Sequence, residues 1–355
     1  MTDRNNAMSL AAPPEARPPP VVMCSKFDLR YPADGPTRQL SCTLAALTSL
    51  RFPVSLAKEI WRARSASVVF ASIPGSAELL WLALIKGIYR KRTRIFVFDL
   101  VMRQPDSIRE RLFASIKRWL LRSIDTFVFI HKDTTGYERS YGISPEKCVY
   151  VPFKANNFDL APSLVSVDGD YALALGASQR DYRLLIDAVA DRPIRLKLVA
   201  PRAHVSTHGA RMGSDSLPSN IERIDRAIDR MEWNNLIAQS RFVVIPILPG
   251  VLQPAGISVY LEAMILGKPV VITRGASTEG ILDDDLALLV PPGDVDALRT
   301  AIDHLWNDAA LRAKLSESGK RYALSLGNHE RLIADLRAVI QREYALSRSS
   351  LQRGR

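Results

Sequence analysis

One stretch constrains this chain more than any other: residues 242–273, FVVIPILPGVLQPAGISVYLEAMILGKPVVIT. An apolar run rich in Val and Ile leads into a loop carrying Pro and Gly, then into a helical stretch near 258–266. Gly267 stops that helix, and Pro269 prevents its resumption just before a second β-rich run. Two short buried strands joined through a helix lie parallel, because a crossover of this length returns the chain in the same direction. Parallel sheets are covered by helices on both faces, so all-α and all-β folds are excluded.

The same rhythm runs along both halves of the chain. Strands are expected at 21–23, 67–71, 94–98 and 126–130, with helices at 77–89 and 109–121. The second half repeats it with strands at 171–175, 196–200, 242–247 and 269–273, and helices at 180–190, 231–239 and 258–266. Helices at 294–307, 309–324 and 328–347 follow. Residues 151–170, with two prolines and paired asparagines, read as a linker, and the polar stretch 204–220 as a mobile loop. With 355 residues, two domains are expected. The predicted fold class is α/β: two Rossmann-like doubly wound lobes facing a central cleft, with a helical C-terminal tail. Residues 1–20 lack an apolar core and end in prolines, so they read as a disordered tail and neither a signal peptide nor an anchor.

Cys24, Cys42 and Cys148 are odd in number and fit no zinc spacing, which points to reduced thiols and the cytoplasm. The net charge of +11 is concentrated: eleven Lys or Arg stand against three acids between 86 and 122, a local charge of +8. Such a surface suits an anionic partner. Residues 109–122, RERLFASIKRWLLR, place Leu112, Phe113, Ile116, Trp119 and Leu120 on one helical face and Arg111, Arg118 and Arg122 on another. A basic amphipathic helix with a Trp of this kind lies among anionic lipid headgroups. The alternative is that this helix and the apolar stretch 79–88 simply pack on the sheet; for 79–88 packing is preferred. Nucleic-acid motifs are absent and aromatics are not interleaved with the basic residues, so nucleic acid is not expected.

The chemistry concentrates after the strand 242–247. The N–H groups of Gly256, Ile257 and Ser258 open a helix with the positive end of its dipole behind them, an arrangement that suits a diphosphate. Glu262, one turn on, can accept two hydrogen bonds from vicinal hydroxyls; a solvated helix glutamate is the alternative. Asp283–Asp285 reads as a solvated acidic turn and the five histidines lack ligand spacing, so no metal is expected.

AGISVYLEAMILGKPVVITRGASTEGI followed by LALLVPPGDVDAL resembles the C-terminal lobe of family-4 glycosyltransferases of GT-B fold, whose loop-helix reads EGFGxxxxEAMAxGKPVV. Gly256 and Glu262 fall on the second glycine and second glutamate of that pattern. Pro254 replaces its first glutamate, with Gln253 just before it. ALGASQRDYRLLIDAV resembles GRxxxxKGxxxLIxA: Arg180 falls on the lysine and Ala177 on the arginine. The resemblance implies a sugar nucleotide-dependent hexosyl transfer, with retention and without metal or other cofactor. It implies donor contacts from Gly176, Ser178, Gln253, Ala255, Gly256, Ile257, Ser258 and Glu262, and Arg202, just past the next strand, is a candidate second cation. Arg180 neutralises the leaving diphosphate in this reading, unless it forms a surface ion pair with Asp181 or Asp187. In the first half VFDLV retains Asp99 of the family's strand-end HD pair, as an acceptor-side base or a turn residue, and His131 is a second candidate.

The implied organisation is a tail at 1–20, an acceptor and membrane-facing lobe at 21–155, a nucleotide-sugar lobe at 156–325, and a helix at 326–355 returning towards the first lobe. The partners implied are a nucleotide-sugar donor, a glycolipid or oligosaccharide acceptor, and the inner membrane face, contacted through Arg111, Arg118, Trp119 and Arg122. The missing glutamate and arginine leave a second reading open, a nucleotide-sugar-binding or scaffold protein without catalysis.

Overall fold

The computed structural model describes residues 22–25, 29, 38–40, 57–58, 60–61, 63–89, 93–202, 209–212 and 217–353. The predicted tail, Arg90, Lys91 and Arg92 of the basic stretch, and much of the loop 204–220 lie outside the described residues. The chain divides into two compact units, one of Met1–Ile130, Thr134–Val151 and Leu332–Arg355, the other of His131–Asp133 and Pro152–Arg331.

Unit 1 holds β1 (Val22–Ser25), β2 (Arg38–Leu40), β3 (Val68–Ser72), β4 (Arg94–Phe98), β5 (Thr126–Phe129) and β6 (Cys148–Tyr150). They form one parallel sheet in the order β2-β1-β3-β4-β5-β6. Helix α1 (Ser76–Ile88) joins β3 to β4, and α2 (Ile108–Leu121) joins β4 to β5. Both crossovers step in the same direction along the sheet, so right-handed connections put α1 and α2 side by side on one face. Ser107 and Glu110 cap α2 reciprocally, each side chain accepting from the other residue's N–H. The short α3 (Thr135–Tyr141) follows β5.

Unit 2 holds β7 (Ala172–Leu175), β8 (Leu196–Val199), β9 (Ile221–Ile224), β10 (Phe242–Ile245), β11 (Val270–Thr273) and β12 (Leu288–Val290). Their parallel order is β12-β11-β10-β7-β8-β9. The chain winds outward from β7, then returns to begin again at β10, so the loops after these two neighbours diverge and leave a crevice at their carboxyl ends. The helices are α4 (Tyr182–Val189), α5 (Arg230–Ala238), α6 (Ile257–Ile265), α7 (Val295–Asn307) and α8 (Ala309–Ser325); α9 (His329–Arg353) follows and belongs from Leu332 on to unit 1. Buried Leu185, Leu198, Val244, Val271 and Ile302 share one core cluster.

The doubly wound α/β expectation holds for both sheets. Four strands went unread: β2, β6, β9 and β12. Each is an edge strand of three or four residues. The side chains of β6 and most of those of β9 and β12 keep solvent contact, which removes the apolar run that marked the inner strands. The expected linker is held down rather than loose: Asn157 is fully buried, and Lys268 donates to the carbonyls of Val167 and Ser240.

Candidate functional site

Helix α6 begins where the predicted one did, and its N-cap explains why. Gly256 has φ +99°, and a Cβ there would lie 3.1 Å from Ile245 Cγ2, so the entry turn accepts glycine alone without strain. No side chain caps the helix, which leaves its first N–H groups open at the carboxyl end of β10. Ala255 and Ile257 are buried, and Ser258 is half-buried.

The helix expected at 180–190 begins two residues later, and this displacement places Arg180. Asp181 caps α4 by accepting from Leu184 N at 3.1 Å, and its own N–H donates to Pro246 O at 3.0 Å. Arg180 therefore stays in the β7–α4 loop, bridged to Ile247 after β10. Its guanidinium is buried, with Nη1 donating to Ser178 O at 2.7 Å and Nε without a partner. Neither Asp181 nor Asp187 pairs with it, and among the described residues no carboxylate does, so the surface ion pair is set aside. Burial pushes its pKa below the ordinary arginine value, but a guanidinium keeps its proton. Gly176, at φ +98°, makes room for it: a Cβ there would stand 2.8 Å from Arg180 Nη2. Gln253 Nε2 lies 3.4 Å from Ser178 Oγ, joining the loops after β7 and β10. Gly176, Ser178, Arg180, Gln253 and the start of α6 thus gather at the crevice of unit 2.

Glu262, one turn into α6, is buried and not solvated. Its Oε2 accepts from Trp233 Nε1 at 2.8 Å, and Asn156 hydrogen-bonds the same carboxylate. Burial raises its pKa, while Trp233, Asn156, Arg230 and Lys154 draw it down. These four neighbours were not read in the sequence. Trp233 and Asn156 stand 29 and 106 positions from Glu262, and only the packing of α5 and the 152–157 segment on α6 unites them.

Arg202 lies past the carboxyl end of β8, the neighbour of β7. Its N–H and Nε both engage Asp225, at 2.8 and 2.9 Å, on an exposed edge beyond β8. Asp285 is exposed and paired with Lys314, as expected of an acidic turn.

In unit 1, Asp99 follows β4 with φ +51°, a conformation that costs a non-glycine residue about 1–3 kcal/mol and is held here by Asp99 N donating to Val128 O. Its buried Oδ1 has no partner, and burial raises the carboxyl to about 6. His131, which follows β5 but belongs to unit 2, is buried and pushed down to about 4, so it is neutral at physiological pH.

Helix α2 turns its apolar face outward. Ile108, Leu112, Ile116 and Trp119 are 58–79% exposed and span about 80° of the helix at about 100° per residue. Ala114 and Leu121 face the core from the opposite side, and Leu120, expected with the apolar stripe, is buried with them. Leu80, Leu84 and Ile88 are exposed on α1 beside it, whereas Leu79, Trp81, Leu82 and Ile85 pack inward as expected. Arg111 and Arg122 flank the exposed stripe, but Arg118 lies over Gly142 and donates to Arg139 O at 3.1 Å.

Two parallel doubly wound sheets, the second with an anion-ready crevice, define a GT-B-like α/β protein. Residues 175–308, the stretch that carries most of the motifs, match the family model described as glycosyl transferases group 1. The fold is similar to that of HepE from Anabaena, solved in complex with UDP-glucose, at 15% identity and a TM-score of 0.62, over 93% of this chain and 99% of that one. A glycosyltransferase from Rickettsia africae gives 12%, 0.62, and 86% and 85%. Sucrose-phosphate synthase from Thermosynechococcus elongatus gives 18%, 0.58, and 90% and 82%. No curated protein sequence matches the chain.

Proposed function

We propose that the protein transfers a hexosyl group from a nucleotide-sugar donor to a glycolipid or oligosaccharide acceptor at the inner face of the cell membrane, with retention and without metal. The observation that carries this reading is Arg180. A buried guanidinium without a carboxylate is costly, and an anion bound beside it removes that cost. The open N–H groups of α6 supply the second half of a diphosphate site.

In this reading Glu262 receives the ribose hydroxyls, Gln253 and Ser178 face the donor sugar, and Arg180 with the helix terminus stabilises the departing diphosphate. The C1–O bond to the diphosphate breaks as an acceptor oxygen bonds C1. The acceptor proton passes to the leaving phosphate or to Asp99, whose raised pKa suits a base near neutrality. HepE, of like fold, carries UDP-glucose, which makes UDP-sugars the first donors to test.

The exposed stripe of α2, flanked by Arg111 and Arg122, supports contact with an anionic bilayer. No described helix is long and apolar enough to cross a membrane. Pro254, in place of the family's first glutamate, favours a second reading, donor binding without catalysis. Radiolabelled transfer and donor hydrolysis with UDP-, GDP-, ADP- and dTDP-sugars separate the two. Turnover that is lost in Arg180→Ala supports the enzyme; tight binding of a donor with no turnover of any kind sinks it.

A further inference from the structure

The Glu262 carboxylate is held from two chain segments at once. Trp233, on α5, donates its indole N–H to Oε2 at 2.8 Å, and Asn156, on the segment entering unit 2, hydrogen-bonds the same group. Behind them Asn157 donates to the Glu262 carbonyl at 3.2 Å and to Asn234 Oδ1 at 3.0 Å, stitching that segment to α5 and α6. Lys154 and Arg230 are the cations facing the carboxylate from these segments, and Asp159 in turn faces Lys154.

Trp233 is only partly buried, so water can serve its N–H. The carboxylate it meets instead is buried, where an ionised group without donors is expensive. The hydrogen bond is therefore worth more to Glu262 than to Trp233. A carboxylate offers about four acceptor positions, so the bonds from Trp233 and Asn156 leave the remainder in fixed directions for a ligand.

We propose that Trp233 is a positioning residue: together with Asn156 it holds the Glu262 carboxylate in one orientation to receive the ribose of a nucleoside diphosphate. The proposal rests on the donor-site reading given above. Burial raises the Glu262 carboxyl while the Trp233 bond lowers it, so loss of the indole N–H moves its protonation to higher pH.

Titration calorimetry with UDP from pH 5 to 8 on the full chain tests this with W233F, W233H, E262Q and the W233F/E262Q pair. W233F is expected to weaken UDP binding about tenfold near pH 6, with part of the loss recovered in W233H, which keeps a ring N–H. In the E262Q background the same change is expected to cost less than about twofold. An equal loss in both backgrounds overturns the proposal, because Trp233 then acts without Glu262. Absence of UDP binding to the wild-type chain counts against the donor-site reading alone. In that case the ligand-free 13C carboxyl titration of Glu262, assigned by its absence in E262Q, decides. It is expected to shift to higher pH in W233F, and an unmoved titration refutes the positioning role. Should W233F fail to fold, N156A replaces it with the same expectations.

Discussion

The two sheets are built alike and finished with opposite charge. In unit 2 the carboxyl ends of β7 and β10 gather a buried cation, Arg180, and the positive end of α6. In unit 1 the carboxyl end of β4 carries an acidic residue, Asp99, whose buried Oδ1 has no partner. Their helices differ in the same instructive way. Every residue of α6 except Ser258 is buried, whereas α2 buries Ala114, Leu120 and Leu121 and keeps Ile108, Leu112, Phe113, Ile116 and Trp119 in solvent. A parallel sheet provides the frame in both units; the function assigned to each comes from which uncompensated group or face is left at its edge.

The sharpest test of that contrast is Arg180. Replacement by Met is expected to lower kcat/KM for donor turnover by about a hundredfold or more, measured by radiolabelled transfer. The same change is expected to raise the unliganded stability by about 1–2 kcal/mol in a urea melt, because it removes a buried charge that lacks a counter-ion. Loss of both activity and stability would make Arg180 a structural residue.

Gly256→Ala is next. Positive φ and the close approach to Ile245 predict a loss of about 1–3 kcal/mol together with weaker donor binding, read by denaturant melts and calorimetry.

Asp99 carries the complementary prediction. Its folded value near 6 lies above the ordinary 3.8, so the folded state favours the protonated carboxyl: stability is fully present below the unfolded value and is lost as pH rises through the folded one, where the buried group must ionise. Asp99→Asn is thus expected to stabilise the protein by about 2 kcal/mol at pH 8 and by little at pH 3. If Asp99 is the acceptor base, transfer falls below about pH 6 in the wild-type chain and that limb disappears in the variant.

On the outer face, Leu112, Ile116 and Trp119 changed to Ser are expected to abolish flotation with anionic liposomes while altering stability by less than about 1 kcal/mol. Leu121→Ala, from the buried side of the same helix, is expected to cost about 2–3 kcal/mol. Unchanged flotation of the triple variant would remove this face from the membrane reading. The smallest effect is expected at Arg202, where an exposed pair with Asp225 is worth about 1 kcal/mol or less, and Arg202→Ala should leave donor affinity within about twofold.

Much of this was legible along the chain. The inner strands, α1, α2, α6, the glycine turn and Glu262 follow from periods of two and 3.6 residues, from Gly and Pro punctuation, and from a family pattern confined to local stretches. Those signals are short-range, because backbone geometry and capping act over a few residues. What the tertiary structure alone decided is long-range. It drew Arg180 out of α4 into a buried loop, tied Arg202 to Asp225, turned the apolar side of α2 outward, and brought Trp233 and Asn156 to Glu262. Burial and charge compensation belong to neighbours far apart in sequence, and no residue type or local period reveals which groups a fold will leave unpaired.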